Sequence, residues 1–276
     1  MKKLIIILGL VFGLFFITTV AAGSFAYFRY FVPAQTFAQG TETIQEVRQA
    51  DANTVMDIKM KLISMEPGSE GETITLSMHV DMDMLLDTDN EKLYLKMLMD
   101  GESAYNGEEG TFPETKVEMY VIGEDLYLVD AGKVSTLDRS ILGEDEATIF
   151  DFETTWQEIT AETMYEFLGE EKVNGIDAYK YRVPIDATAL ESMFEQLNSS
   201  LSSFTKEDIS FDDVSIDEIN YFVWVSKDDA EPLREDVELK GFSVSIPGIA
   251  KFEYEEVDAV TLYNSVNKPV KIEAPE

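Results

Sequence analysis

Few residues in this chain have the type and setting to do chemistry. His79 is the one histidine, and there is no cysteine. A thiol nucleophile, a disulfide scaffold and a zinc ribbon are therefore excluded. His79 lies between Met78 and Val80, in phase with Thr75, Ser77 and Asp81 on the polar side of an alternating segment. A Ser-His-Asp arrangement needs its histidine in a cleft, whereas this spacing predicts a solvated strand residue. The motifs G-x-S-x-G, H-E-x-x-H and G-x-x-x-x-G-K-[ST] are absent. Asp81, Asp83, Asp87, Asp89 and Glu91 are the acids best spaced for calcium. No glycine supplies the turn of an EF-hand loop there, and two of the five fall within a strand pattern. Acid–acid neighbours are so common among 54 Asp and Glu that adjacency says nothing about acid–base catalysis. The reading is a protein that is not an enzyme and needs no cofactor or metal.

The other chemistry available is apolar. Twelve methionines are a high count for 276 residues. Methionine is flexible and polarizable, and suits a surface that repacks around varied apolar partners. Met56, Met60, Met78, Met82, Met84, Met97, Met99 and Met119 fall on one register of strand patterns, together with Ile58, Leu62, Ile74, Leu76, Leu93 and Leu95. Met164 and Met193 fall on helix patterns, with Phe167, Phe194 and Leu197 beside them. The candidate cavity lining is Met56, Met60, Leu76, Met78, Met82, Leu95, Met97, Met119, Met164, Phe167, Met193, Phe194 and Leu197. Trp156 and Trp224 are read as packing anchors.

The elements that must position this face are mostly strands. Residues 56–62 and 74–84 alternate strictly between apolar and polar, the mark of a strand with one buried and one wet side. Further strands are expected over 92–100, 116–122, 125–129, 133–137, 171–183 with a break at Asn174-Gly175, 216–226, 233–244 and 249–262. Residues 101–114, rich in Gly and Glu, read as a loop. Helices are expected over 41–52, over 160–169 capped by Thr160 and stopped by Gly169, and from Asp186 through Leu190, Met193, Phe194, Leu197 and Leu201. The sheet-forming segments are sequential neighbours, which favours a meander.

The N-terminus has a different character. Met1-Lys2-Lys3 precedes 25 uncharged residues, 4–28. At helical rise these span ~37 Å, more than the ~30 Å hydrocarbon core of a bilayer. A positive start and this length predict an uncleaved signal-anchor, with the remainder outside the cytoplasm. Small residues at Val20-Ala21-Ala22 and at Thr36-Phe37-Ala38 leave a cleaved signal peptide open. The expected layout is a signal-anchor or signal peptide over 1–32, a linker over 33–40 and one domain over 41–276. Losing residues 1–39 removes Lys2, Lys3 and Arg29 and no acid, which moves the net charge from −33 to −36. Such a chain has no basic face to displace counterions from a nucleic acid, so no nucleic-acid partner is expected. A solvated acidic surface is the simplest account of the charge.

Several segments resemble one known group. Residues 221–228, from Tyr221 through Trp224 to Asp228, are followed by Glu231, Pro232, Leu233 and Arg234. Residues 118–128 form a candidate central hairpin, and residues 173–181 a strand pair around Asn174-Gly175. Residues 263–275 form a terminal strand and exit. In this order they resemble the LolA/LppX-like superfamily of envelope proteins, over most of 41–276. The resemblance implies an α+β fold: after the N-terminal transmembrane or signal helix, one strongly curved antiparallel half-barrel of about ten strands, covered on its concave face by two or three helices. It implies a non-enzymatic, extracytoplasmic binder or carrier of a lipid, a lipoprotein acyl chain or another apolar ligand. The alternative is a membrane-anchored envelope sensor or protein-partner-binding domain with a closed core. Many relatives are acylated on an N-terminal cysteine, so attachment of this cysteine-free chain would rest on its first helix.

Overall fold

A computed structural model describes residues 49–65, 70–105, 108–123, 125–130, 132–138, 166–183, 212–215, 217–229, 231–246 and 250–275. Among these residues, twelve strands make one antiparallel sheet. They are β1 (Gln49–Ser64), β2 (Thr73–Asp87), β3 (Lys92–Tyr105), β4 (Glu108–Ile122), β5 (Asp125–Asp130), β6 (Lys133–Asp138), β7 (Glu166–Val173), β8 (Ile176–Val183), β9 (Asp212–Ser215), β10 (Glu218–Ser226), β11 (Pro232–Ile246) and β12 (Ala250–Val266). The order across the sheet is β6-β5-β4-β3-β2-β1-β12-β11-β10-β8-β7, with β9 pairing β11 off this path. One wing, β1 to β6, is the expected meander. The first and last strands then pair with each other in the middle, from Ala50 opposite Val266 to Ser64 opposite Ala250.

This corrects the expected α+β class. Among the described residues the one helical element is a 3-10 turn, Thr88–Asn90, and the sheet is open. The helix expected over 41–52 is overruled at its C-terminal end, because β1 begins at Gln49. Ala50, Ala52 and Thr54 continue the period-2 burial of Met56, Ile58, Met60 and Leu62, and small residues on a flat face obey that register as readily as a helical one. The helix expected over 160–169 is overruled at its end in the same way. Phe167 and Leu168 lie on edge strand β7, both exposed. Gly169, at φ 138°, sits at an irregularity where β7 slips register against β8. The segment expected to be a helix from Asp186 to Leu201 and the N-terminal segment over 1–32 lie outside the described residues. No helix among the described residues is long and apolar enough to cross a membrane.

Turns follow from local chemistry. Asn174 and Gly175 both have positive φ, 51° and 86°, and close the β7–β8 hairpin in two residues. That geometry matches the right-handed twist of the strands it joins. Gly241 is more constrained. Its φ is +61°, and a Cβ built on it would overlap the Asp217 carboxylate. Gly241→Ala is expected to lower the unfolding free energy by ~1–3 kcal/mol, read as a reduced denaturant midpoint at unchanged slope.

The alternation divides the sheet into two faces. On the charged face, His79 accepts or donates a 2.9 Å hydrogen bond with Asp57, Lys59 meets Glu256 at 2.7 Å, and Lys96 meets Asp83 at 2.8 Å. These exposed pairs fix side-chain directions more than they add stability. Trp224 is buried on this same face. Its Nε1 donates to Glu171 Oε2 at 2.8 Å, with the Lys180 ammonium 4.5 Å and the Arg234 guanidinium 4.7 Å from its ring. It packs with Val173, Ala178 and Leu233, as a packing anchor should.

Candidate functional site

The opposite face is apolar across its central strands. Strand registers place Met56 opposite Val80, Met60 opposite Leu76, Met78 opposite Ile58, and Met82 opposite both Thr54 and Met97. Leu95 stands opposite Met84 and Met119. Eight of the thirteen expected lining residues therefore share this face: Met56, Met60, Leu76, Met78, Met82, Leu95, Met97 and Met119. Phe167 falls on the same register of β7, opposite Tyr181, but as an exposed edge residue in place of a covering helix. Met164, Met193, Phe194 and Leu197 lie outside the described residues.

Burial is graded along this face. Met56, Ile58, Met60, Leu62, Val80 and Met82 are fully buried, in one continuous cluster with Leu93, Leu95, Val121 and the β12 residues Phe252, Val257 and Ala259. Ile74, Leu76, Met78, Met97, Met99 and Met119 pack against that cluster but stay half-buried. These six lie on β2, β3 and β4, and Tyr181, Ile219 and Val237 are half-buried against the same cluster on β8, β10 and β11. The result is a closed apolar floor in the centre with half-buried margins, of which the β2–β4 margin is rich in methionine.

One row crosses the sheet from β7 to β6. Reading across the strands it runs Phe167, Tyr181, Val223, Glu235, Thr261, Thr54, Met82, Met97, Val117, Asp130, Lys133. Asp130 and Lys133 fall on β5 and β6 at one edge, and Glu235 is the exception in the central part of the row. Among the described residues of β1, β2, β3, β10, β11 and β12, it is the one carboxyl on the apolar register, and it is 4% exposed. The Tyr263 hydroxyl donates to Glu235 Oε1 at 2.8 Å. Beside it, the Thr54 and Thr261 hydroxyls bond each other at 2.8 Å, both buried. Burial pushes the Glu235 carboxyl up to about 7, and would push it further if the Tyr263 and Tyr221 hydroxyls did not favour the charged form.

Sequence reasoning passed over Glu235 because it stands inside Arg234-Glu235-Asp236, which reads as a solvated charge run. Its phase with Val237 and Leu239 was the available signal. Arg234 and Asp236 do face the charged side, joined by two 2.6 Å bonds.

The remaining candidates disperse. His79 is half-exposed on the charged face, and its hydrogen bond to Asp57 raises its pKa. Asp81 and Asp83 receive Asn53 Nδ2 at 2.8 and 3.1 Å, while Asp87 accepts from Asn90 Nδ2 at 2.7 Å. Among the described residues no group of three or more His, Asp or Glu is placed to hold a metal ion.

The fold and the face together define an open antiparallel sheet whose central strands carry an apolar wall with one buried carboxyl. Among solved structures the chain is similar to LppX of Mycobacterium tuberculosis, a lipoprotein, at 15% identity and a TM-score of 0.35, covering 82% of this chain and 90% of that one. It is similar to LprF of Mycobacterium bovis at 11% identity and a TM-score of 0.41, covering 83% and 90%. A LolA superfamily protein of Nitrosomonas europaea is similar at 11% identity and a TM-score of 0.20, covering 87% and 94%. These likenesses carry no argument about role, and the function has to be argued from the apolar face itself. No protein-family model and no curated protein matches the chain.

Proposed function

We propose that this protein is a non-enzymatic, extracytoplasmic binding or carrier protein that holds a lipid or another apolar ligand against the apolar face of its sheet. The observation that carries the reading is the half-buried group Ile74, Leu76, Met78, Met97, Met99 and Met119, continuous with a fully buried core. Soluble domains rarely leave such contiguous apolar surface part-open without a partner for it. Methionine-rich walls accommodate apolar ligands of varied shape. Of the eight lining residues named above, the half-buried Leu76, Met78, Met97 and Met119 would make the contact, and the buried Met56, Met60, Met82 and Leu95 would form the floor beneath it. The long uncharged run over 4–28 supports export and attachment to a membrane.

Native mass spectrometry after gentle purification, followed by extraction of the bound material, tests this. A co-purifying species of lipid mass, released on unfolding, is the expected result. A chain that carries no apolar species and takes up none from vesicles would refute the reading.

A further inference from the structure

Over the described residues of β1, β2, β3, β10, β11 and β12 the face that would hold the ligand is uncharged except at one point, Glu235. A leucine at position 235 would continue the apolar row at no desolvation cost. The chain instead buries a carboxyl, which costs several kcal/mol unless the group is neutralised or bonded. Three hydroxyl-bearing side chains come from the neighbouring strands, Tyr263 and Thr261 from β12 and Tyr221 from β10, and Thr54 of β1 bonds Thr261 one strand further on. A carboxyl has about four acceptor sites, so the Tyr263 and Tyr221 hydroxyls leave capacity for more donors. Groups of this kind, desolvated in an apolar wall beside specific polar partners, are candidates for functional sites.

Position supports the same idea. Glu235 shares its row with Met82, three strand spacings away, and with Met97, four away. At ~4.8 Å per spacing these are ~14 and ~19 Å, the reach of a medium-length alkyl chain laid across the strands. The half-buried methionines lie at the far end of that path. A ligand with its polar end at Glu235 would put its tail on Met82, Met97 and Met119.

We propose that Glu235 is the polar anchor of the ligand site, and that the ligand is an amphiphile with a non-anionic hydrogen-bond donor, a hydroxyl or an amine, at its polar end. The inference rests on the apolar-face reading above and specifies it. An anionic head would meet a carboxyl in a desolvated setting and, beyond it, a chain of net charge −33. A hydroxyl donates to the carboxyl in either protonation state of its neighbours, and an ammonium neutralises it. The charged group close enough to weigh on this choice is Asp236, through the strand, and the two tyrosine hydroxyls are neutral donors.

Calorimetric titration of the full-length chain in nanodiscs, with empty nanodiscs as reference, separates the outcomes. Dodecanol, dodecylamine and dodecanoate share one tail and differ at the head. At pH 8, dodecanol and dodecylamine are expected to bind roughly tenfold or more tighter than dodecanoate. Glu235→Gln should erase the amine's advantage, and Glu235→Leu should leave all three probes equal. Equal binding of the three probes by the native chain, or tighter binding of dodecanoate, overturns the anchor and leaves the apolar-face reading standing. Binding of none of them overturns both.

Discussion

Glu235→Gln is expected to make the protein more stable than the native chain above neutral pH, by about 2–3 kcal/mol at pH 8, and to make no such difference near pH 4. The sign follows from the direction of the shift. Burial raises this carboxyl from 4.5 to about 7 in the folded state. Between those values the unfolded chain has lost the proton while the folded chain keeps it, so stability falls as pH rises. The contribution is complete below the unfolded value and gone once pH passes the folded one, with a plateau above. Two and a half units at ~1.4 kcal/mol each set the ceiling at ~3.5 kcal/mol. The difference between variant and native chain is the quantity to measure, by denaturant unfolding from pH 4 to 9. Other carboxyls add slopes of the opposite sign, among them Asp83, lowered by Lys96, and Glu171, lowered by the Trp224 indole. A difference that does not change with pH would mean that Glu235 is hydrated and charged in the folded state.

Met60→Ala is expected to cost ~2–5 kcal/mol, the largest loss from any single apolar truncation on this face. Met60 is 1% exposed, on a central strand, opposite Leu76 on one side and Tyr254 on the other. The central strands cannot close over the gap without losing the β1–β12 register that joins the two wings. Met97→Ala makes the contrast. Met97 is half-buried on the softer wing, so its truncation should cost ~1 kcal/mol or less while weakening ligand binding more than Met60→Ala does per unit of stability lost. Denaturant midpoints for both variants, beside ligand titrations, check the pair. Equal stability losses would mean that the wing is ordinary core.

The strands were legible because their chemistry is local. From residue 56 to 62 and from 74 to 84 each side chain declares its face, and the structure extends both runs at each end without a change of phase. Asn174-Gly175 declared its turn for the same reason. What failed was local evidence with two readings. Residues 41–52 offered Ile44 and Val47 at helical spacing, yet Ala50 and Ala52 belong to β1, and only pairing with Leu86 and Met84 decides that. Phe167 and Leu168 suit a helix face as well as an exposed edge, and Tyr179 and Tyr181, 5.9 and 5.5 Å from the Phe167 ring, hold it in the sheet. The run from 101 to 114 looked like a loop because its composition is polar. It is the far half of the β3–β4 hairpin, where Ser103 faces Gly110 and Tyr105 faces Glu108. Pairing of the first strand with the last is a long-range fact that no window along the chain contains. The methionine face was legible as a register. Its anchor was not, since a carboxyl between Arg234 and Asp236 looks solvated until the phase of Val237 and Leu239 is carried back two and four residues.

The most direct test of the central claim uses the methionines as reporters. With their ε-methyl groups isotopically labelled, each gives a resonance whose shift reads its surroundings. On addition of dodecanol, the methyls of Met78, Met97, Met99 and Met119 are expected to move and to show magnetisation transfer to the alkyl chain. Met65, exposed beyond the end of β1, should stay where it is. Transfer to Met65 alone, or no transfer to any methyl of β2, β3 and β4, would contradict a ligand held on this face.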